Sequence, residues 1–119
     1  MRHVHFVTLA LAPVGCGGGS SGNPVQKCDD LLEALCTRVQ TCGEQLTGTV
    51  APATFHKDCL DAQKAELDCS KAMSVDPSYD TCITELRTFS CNVFVTLDAD
   101  QNITSVNPPA SCMGVILGP

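Results

Sequence analysis

Hydrophobic positions recur at helical spacing in the first part of the chain, from about residue 24 onward. Asn23 followed by Pro24 favours a helix start, because an Asn side chain can cap free backbone N–H groups and Pro fits the first turn. Gly43 follows the last position of the pattern and predicts the helix end, so the helix should span about 24–42. Its apolar face comprises Val25, Cys28, Leu31, Leu32, Leu35, Cys36, Val39 and Cys42.

Two further helices are predicted at about 53–70 and 77–93. The earlier one has Thr54 as its expected cap and contains neither Gly nor Pro, although its apolar stripe is less regular. The later one starts at an Asp-Pro pair and buries Tyr79, Cys82, Ile83, Leu86, Phe89 and Val93. Cys91 follows Cys82 by nine residues, or two and a half turns, so it should point outward.

Beyond Phe94 the chain changes to a composition typical of turns and loops. Asn and Asp are frequent, and Pro108 and Pro109 interrupt any regular element. We expect this segment to be an irregular tail that folds back on the helices. The predicted fold is therefore all-α: a small disulfide-stapled bundle of three or four helices over residues 24–119, with an irregular C-terminal tail.

Cysteines must compensate for a small core. The chain has 119 residues, no Trp, one Tyr and four Phe, but it has nine Cys. Each disulfide stabilises a fold by about 2–4 kcal/mol, and disulfides persist in oxidising compartments outside the cytosol. A reduced zinc protein is the alternative, but zinc sites use close pairs such as C-x-x-C. From Cys28 onward the cysteines are separated by 7, 5, 16, 9, 12, 8 and 20 residues.

The eight cysteines from Cys28 onward could pair in 105 ways, and helix geometry favours some of these pairings. The outward cysteine of the third helix should pair with the cysteine of the returning tail. In an up-down-up bundle the end of the first helix lies near the start of the second, which predicts another pair. The remaining four cysteines are then paired as a guess, without support from helix geometry. The predicted pairs are Cys42–Cys59, Cys91–Cys112, Cys28–Cys69 and Cys36–Cys82.

Residues 1–15 have the features of a short signal peptide. Arg2 provides a positive charge, and the apolar run at 4–12 is too short to span a bilayer. Two cleavage sites compete. Ala-Leu-Ala at 10–12 fits ordinary signal peptidase but is followed by the unfavourable Pro13, whereas the second site lies between Gly15 and Cys16.

Gly15-Cys16 resembles the end of the lipobox of bacterial lipoproteins, in which the cysteine is acylated and becomes the new N-terminus. Pro13 departs from the Leu that the family usually has at that position. Cys16 is also the odd cysteine once eight have paired, and the Gly/Ser-rich residues after it suit a flexible tether. The resemblance implies a lipidated Cys16, a tether over 16–23 and attachment to a membrane face. The alternative is an unmodified cysteine.

The cysteine-bearing segments together resemble the small cysteine-rich lipoproteins of myxobacteria and related Gram-negative bacteria. The segments are CDDLLEALCTRVQTCG, CLDAQKAELDCS, SYDTCITELRTFSC and PPASCMGVIL, and the resemblance covers residues 1–117. It implies a lipid-anchored helical domain in the bacterial cell envelope, at the outer membrane or cell surface. It implies no catalytic residue and no cofactor.

The sequence contains no recognisable catalytic or metal-binding set. His56 is the one histidine after the predicted signal peptide, and we expect it to be a solvated surface residue, since no nucleophile motif accompanies it. Asp98, Asp100 and Asn102 are spaced like the start of a calcium loop, but the later Gly and Glu are missing, so a turn is the better interpretation. We therefore predict that the protein is not an enzyme.

The net charge and the absence of certain cysteine motifs disfavour some classes of function. Removal of Arg2 with the signal peptide leaves six basic and 13 acidic residues, or about −7, which disfavours nucleic-acid binding. The favoured function is a non-catalytic binding or structural module held at the envelope by its lipid. One alternative is a small carrier of apolar ligands, although helical lipid-transfer proteins have C-C and C-x-C motifs that are absent here. A secreted inhibitor or toxin-like protein is the other, and it would have a free N-terminus.

Overall fold

The computed structural model describes residues 12–13 and 23–118. The helices are α1 (Pro24–Thr47), α2 (Phe55–Glu66), α3 (Tyr79–Thr88) and the single turn α4 (Cys91–Phe94), with 3₁₀ turns at Cys69–Lys71 and Ala110–Cys112. The strands are β1 (Ala12–Pro13), β2 (Ser74–Val75), β3 (Val95–Leu97), β4 (Ile103–Val106) and β5 (Ile116–Gly118). The domain is mainly helical and disulfide-linked, as predicted, but two small sheets mean that it is not strictly all-α.

Helix α1 begins where the sequence predicts and ends later. The Asn23 side chain accepts hydrogen bonds from the backbone N–H groups of Val25 and Gln26, at 3.0 and 3.3 Å. The helix continues through the buried Gly43 and ends at Gly48, which has φ 69°. The predicted end at residue 42 is therefore wrong. A glycine inside a helix costs about 1 kcal/mol, which the burial of this face of α1 offsets.

Helix α2 is shorter than the predicted 53–70. It ends at Glu66, and Leu67 has an extended backbone with φ −124° and ψ 108°. The Asp68 side chain then accepts a hydrogen bond of 3.0 Å from the Ser70 N–H and caps a separate 3₁₀ turn. Thr54 precedes the helix but makes no side-chain capping hydrogen bond.

The predicted helix 77–93 is broken in two. Helix α3 ends at Thr88, Phe89 is extended with φ −63° and ψ 139°, and α4 starts at Cys91. The break turns Cys91 inward, so its exposure is only 6% and the prediction of an outward cysteine is wrong. The segment has neither Gly nor Pro at the break, so its periodicity did not reveal this interruption.

The predicted irregular tail contains a β-hairpin. Strands β3 and β4 pair antiparallel, with Val95 opposite Val106. In the loop between them, the Asp98 carboxylate accepts hydrogen bonds of 2.9 Å from the backbone N–H groups of Asp100 and Asn102. The Asp-x-Asp-x-Asn segment is thus the turn of a hairpin, in agreement with the sequence interpretation.

A second small sheet places β5 between β1 and β2. Strand β5 pairs antiparallel with β2 and parallel with β1, so Leu117 lies opposite both Ser74 and Ala12. Strand β1 belongs to the predicted signal peptide. The rest of that peptide and most of the predicted tether, with Cys16, lie outside the described residues.

Helix α1 forms the centre of the core. All of its predicted apolar positions are buried except Val25, which is partly exposed. The remaining core side chains come from every part of the described domain, and those from the tail are as deeply buried as those from the helices. Among the fully buried ones are Leu67, Leu86, Phe94, Ile103, Val106 and Ile116.

Four disulfides cross-link the domain, and three of the predicted pairs are not formed. The observed pairs are Cys28–Cys69, Cys36–Cys59, Cys42–Cys91 and Cys82–Cys112. Cys28–Cys69 agrees with the prediction. The pairs Cys42–Cys59, Cys91–Cys112 and Cys36–Cys82 were predicted wrongly.

These errors follow from the later end of α1 and from the break after α3. Because α1 extends to Thr47, α2 returns along it in a shifted register, and Cys59 in its second turn lies beside Cys36 rather than Cys42. The break after α3 directs Cys91 toward α1, where it forms a disulfide with Cys42. Cys112 lies in the 3₁₀ turn that packs on α3, and it therefore pairs with Cys82 of that helix.

Candidate functional site

The cysteines singled out in the sequence are structural in this fold. Each of the eight within residues 23–118 is in a disulfide, and their exposure ranges from 0 to 7%. A disulfide sulfur is not a nucleophile or a metal ligand. Cys16, the predicted lipidation site, is not among the described residues. A binding site in the described domain must therefore be built from other side chains.

His56 connects two helices instead of being simply solvated. Its Nε2 atom lies 2.7 Å from Oε1 of Glu33, which joins the first turn of α2 to α1. The histidine side chain is 31% exposed and the glutamate 59%. His56 is therefore at the surface, as predicted, but it is also paired with Glu33, and Glu33 lies at the edge of a surface groove.

The groove lies between α1 and α3, which run in the same direction. Near the N-terminal ends, the Tyr79 hydroxyl donates a 2.9 Å hydrogen bond to the carbonyl of Lys27. Near the C-terminal ends, Nη2 of Arg38 donates a 2.6 Å hydrogen bond to the carbonyl of Phe89. These two bonds fix both ends of α3 on α1. We call the depression beside them the α1–α3 groove, lined by residues 30, 33, 34, 37, 38 and 41 of α1 and 79, 80, 83, 84, 86 and 87 of α3.

The groove consists of two adjoining cavities of about 400 and 360 Å³, which share Asp30, Ala34 and Arg87. Its floor is apolar, because Leu86 is buried and Ala34 packs against the core. Asp30 and Arg87 on its rim are exposed. Clefts that bind small molecules have volumes of about 300–1,000 Å³. An open groove of this size suits a small ligand with an apolar body and polar ends.

One end of the groove carries both arginines of residues 23–118, Arg38 and Arg87. Arg38 is held by Phe89, and its Nε atom is buried with no hydrogen-bond partner among the described residues. Arg87 forms no hydrogen bond or ion pair within that same part of the chain; the ion pairs found there are Glu33–His56 and Lys57–Asp61. This end therefore offers the exposed guanidinium of Arg87 beside the partly buried guanidinium of Arg38.

The other end is acidic. Asp30 and Asp80 lie near the Tyr79 hydroxyl. Burial raises the pKa of Tyr79 to about 12, and the negative charges of Asp30 and Asp80 contribute to the shift. The Lys27 ammonium lies 5.1 Å from the centre of the tyrosine ring. The tyrosine is thus neutral at ordinary pH and marks the acidic end.

The groove was missed in the sequence because its residues lie on the polar faces of two predicted helices. Each charge there has the spacing of a solvated helix surface, and nothing local indicates that Arg38 and Arg87 line the same groove.

Among the described helices, none is long and apolar enough to cross a membrane. No protein-family model matches the chain, and no match was found among the curated proteins or the solved structures.

Proposed function

We propose that this chain is an extracytoplasmic binding module without catalytic activity, anchored to the bacterial cell envelope through an acylated Cys16. Its four disulfides indicate an oxidising environment outside the cytoplasm. The observation that carries the binding function is the α1–α3 groove, which joins an apolar floor to charged ends. In this proposal Cys42–Cys91 ties α1 to the turn that follows α3, and the lipid keeps the domain at a membrane.

The odd number of cysteines in the sequence supports the proposed lipid anchor. All eight cysteines of residues 23–118 are paired with one another, and Cys16 is the one other cysteine in the sequence. Gly15-Cys16 has the ending of a lipobox, and residues 17–22 are Gly and Ser. A tether of this composition lets the domain move away from the membrane surface. The outer membrane or the cell surface is the proposed location.

The absence of thiol catalysis is supported by the state of the cysteines. Each cysteine between residues 23 and 118 is in a disulfide. Nucleophilic catalysis by a thiol would need one of those sulfurs to be reduced. Turnover of a hydrolase substrate panel by the purified protein, lost on mutation of one residue, would contradict the non-catalytic proposal.

The groove favours a polar ligand over a purely apolar one. A carrier of apolar molecules would enclose its cargo in an apolar cavity, whereas the rim here contains Asp30, Glu33 and Arg87, all exposed. Burying an apolar chain against these charges would remove water from them without replacing their hydrogen bonds. Binding of a ligand with charged ends is therefore the function that the groove supports best.

The anchor is tested by the intact mass of the native protein purified from cell envelopes. The expected mass lacks residues 1–15 and includes acyl chains on Cys16. Reduction should add eight hydrogen atoms, two for each of the four disulfides. An unmodified N-terminus would contradict the anchor, and a smaller gain of hydrogen would contradict the disulfides.

The binding surface is tested by solution NMR with a library of amino acids, short peptides and organic acids. Ligands should shift the amide resonances of groove residues. Thr37→Trp places an indole in the groove from an exposed position and should abolish those shifts. Ala65→Trp, on the exposed surface of α2, is the matched control and should bind normally. No shifts, or shifts that Thr37→Trp leaves intact, would contradict the groove as the binding site.

A further inference from the structure

Apart from Glu33, which pairs with His56, the charged side chains of the α1–α3 groove are separated by sign along its length. Asp30 and Asp80 lie toward the N-terminal ends of the two helices, whereas Arg38 and Arg87 lie toward the C-terminal ends. Eight residues separate Asp30 from Arg38 on α1, which corresponds to about 12 Å at 1.5 Å per residue. The groove is therefore an elongated depression with an acidic end and a basic end.

We propose that the groove binds a short linear peptide with free termini. The peptide amino group would lie at Asp30 and Asp80, and its C-terminal carboxylate at Arg38 and Arg87. An extended residue spans about 3.3–3.6 Å, so three or four residues match the length between the two ends. This inference rests on the proposed function, in which the groove is the binding surface, and it names the class of ligand.

The charge pattern selects a ligand with both signs. Residues 23–118 carry a net charge of about −7, which repels anions in general, and the two arginines in the groove are the local exception. A purely anionic ligand that filled the groove would contact Asp30 and Asp80, and a purely cationic one would contact Arg87. A zwitterion placed with its amino group at the acidic end satisfies both ends.

The basic end fits a carboxylate. Guanidinium groups form paired hydrogen bonds with carboxylates, and charge-assisted bonds of this kind are stronger than neutral ones. Arg38 is already oriented by its 2.6 Å bond to Phe89, so less conformational freedom is lost when it binds a ligand. Arg87 is exposed and makes no ion pair with any described residue. One arginine is thus preorganised and the other is free to close on the carboxylate.

The floor between the ends fits small side chains. Ala34, Ile83 and Leu86 provide apolar surface, and the small side chain of Ala34 leaves space above α1. Glu33 lies beside this floor, but it is paired with His56 at 2.7 Å and is directed toward α2. Peptides of small apolar residues should therefore lie flat between the charged ends.

Tetra-alanine is the probe for this proposal, compared with its N-acetylated and C-amidated forms. Binding to the purified, oxidised protein is followed by the fluorescence of Tyr79, since the chain has one Tyr and no Trp, and by calorimetry. Free tetra-alanine should bind, and blocking either terminus should weaken binding by about tenfold or more, because each modification removes one charge-assisted contact.

Arg87→Gln identifies the carboxylate contact. The variant should bind free tetra-alanine about as weakly as the wild type binds the amidated peptide, and amidation should then cost little more. Arg87 is exposed, so the substitution should leave the fold intact. Lys64→Gln makes the same change of charge on the exposed surface of α2 and should leave affinity unchanged.

Equal binding of the three peptides, no binding of any, or unchanged affinity in Arg87→Gln would overturn the peptide proposal. The NMR screen separates this failure from failure of the groove itself. If tetra-alanine does not bind but another compound shifts groove resonances, and Thr37→Trp removes those shifts, then the groove is the binding surface and its ligand is not a peptide. If no compound binds there, both proposals fail.

Discussion

Nη2 of Arg38 donates a 2.6 Å hydrogen bond to the backbone carbonyl of Phe89, the residue that follows the last turn of α3. A continuous helix would direct that carbonyl to a backbone N–H four residues later. Arg38 instead satisfies the carbonyl from α1, at the point where the chain turns and sends Cys91 toward Cys42. One side chain thus connects the helix break, a disulfide and the basic end of the groove.

Arg38→Met should lower the free energy of unfolding by about 1–3 kcal/mol, because it leaves the Phe89 carbonyl without its donor. Urea denaturation with the disulfides intact measures the change. Arg87→Met is the matched control, since Arg87 is exposed, and its effect should stay within about 0.5 kcal/mol. Equal stability of the two variants would mean that the bond to Phe89 contributes nothing.

Proteolysis without reduction, followed by mass spectrometry, should recover a fragment in which Cys42 is linked to Cys91. Replacing both cysteines with Ala should lower the free energy of unfolding by about 2–4 kcal/mol, because the unfolded chain loses a cross-link that spans 49 residues. A fragment linking Cys42 to Cys59 would instead support the simple up-down-up register and contradict the observed end of α1.

Gly48→Ala should destabilise the domain by about 1–2 kcal/mol. Gly48 ends α1 with φ 69°, and a side chain disfavours this left-handed conformation. No atom lies within 4 Å of the position that a Cβ would take, so the cost comes from the backbone and not from a clash. Gly48→Asn should cost less, since Asn adopts this conformation more readily. Melting temperatures that do not differ between the two variants would contradict this account.

Gln63→Met should raise the free energy of unfolding by about 1 kcal/mol. Gln63 is 1% exposed, and its Oε1 atom is buried with no hydrogen-bond partner among the described residues. Met has a similar size and removes the cost of burying that acceptor. Gln40→Met, at a partly exposed position of α1, should change stability by no more than about 0.5 kcal/mol. A less stable Gln63→Met variant would show that Oε1 is satisfied.

Tyr79 should make stability fall at high pH. Its pKa is raised from 10.0 to about 12 in the folded domain, mainly by burial. The neutral phenol therefore favours the folded state fully below about pH 10, and this contribution is lost as the pH rises from 10 toward 12, because the unfolded tyrosine ionises first.

Ultraviolet absorbance of the phenolate reports Tyr79 alone, since the chain has one Tyr and no Trp. The midpoint should lie near pH 12 in the folded protein and near 10 in denaturant. Tyr79→Phe should abolish this absorbance change and also remove the 2.9 Å hydrogen bond to the Lys27 carbonyl. The same midpoint in both states would contradict the burial of the hydroxyl.

The tail shows where local reasoning from the sequence reached its limit. The sequence pattern predicts a turn at Asp98, and its carboxylate accepts hydrogen bonds from two backbone N–H groups in the hairpin loop. The flanking strands have only three and four residues, too few to produce a clear alternating pattern. They form because Val95, Ile103 and Val106 reach the core that the helices leave open, and a local pattern does not contain that information.

The amino-acid pattern alone predicts the cap of α1 at Asn23, the apolar face of that helix, the mainly helical character of the domain and the presence of disulfides. These features follow from capping chemistry, a repeat of 3.6 residues and the number of cysteines, all of which act over short stretches of chain. The end of α1, the break at Phe89, three of the four disulfides and the shared position of Arg38 and Arg87 in one groove emerge only from the folded domain. Each of these depends on contacts between residues far apart in the chain, where packing against α1 outweighs local preference.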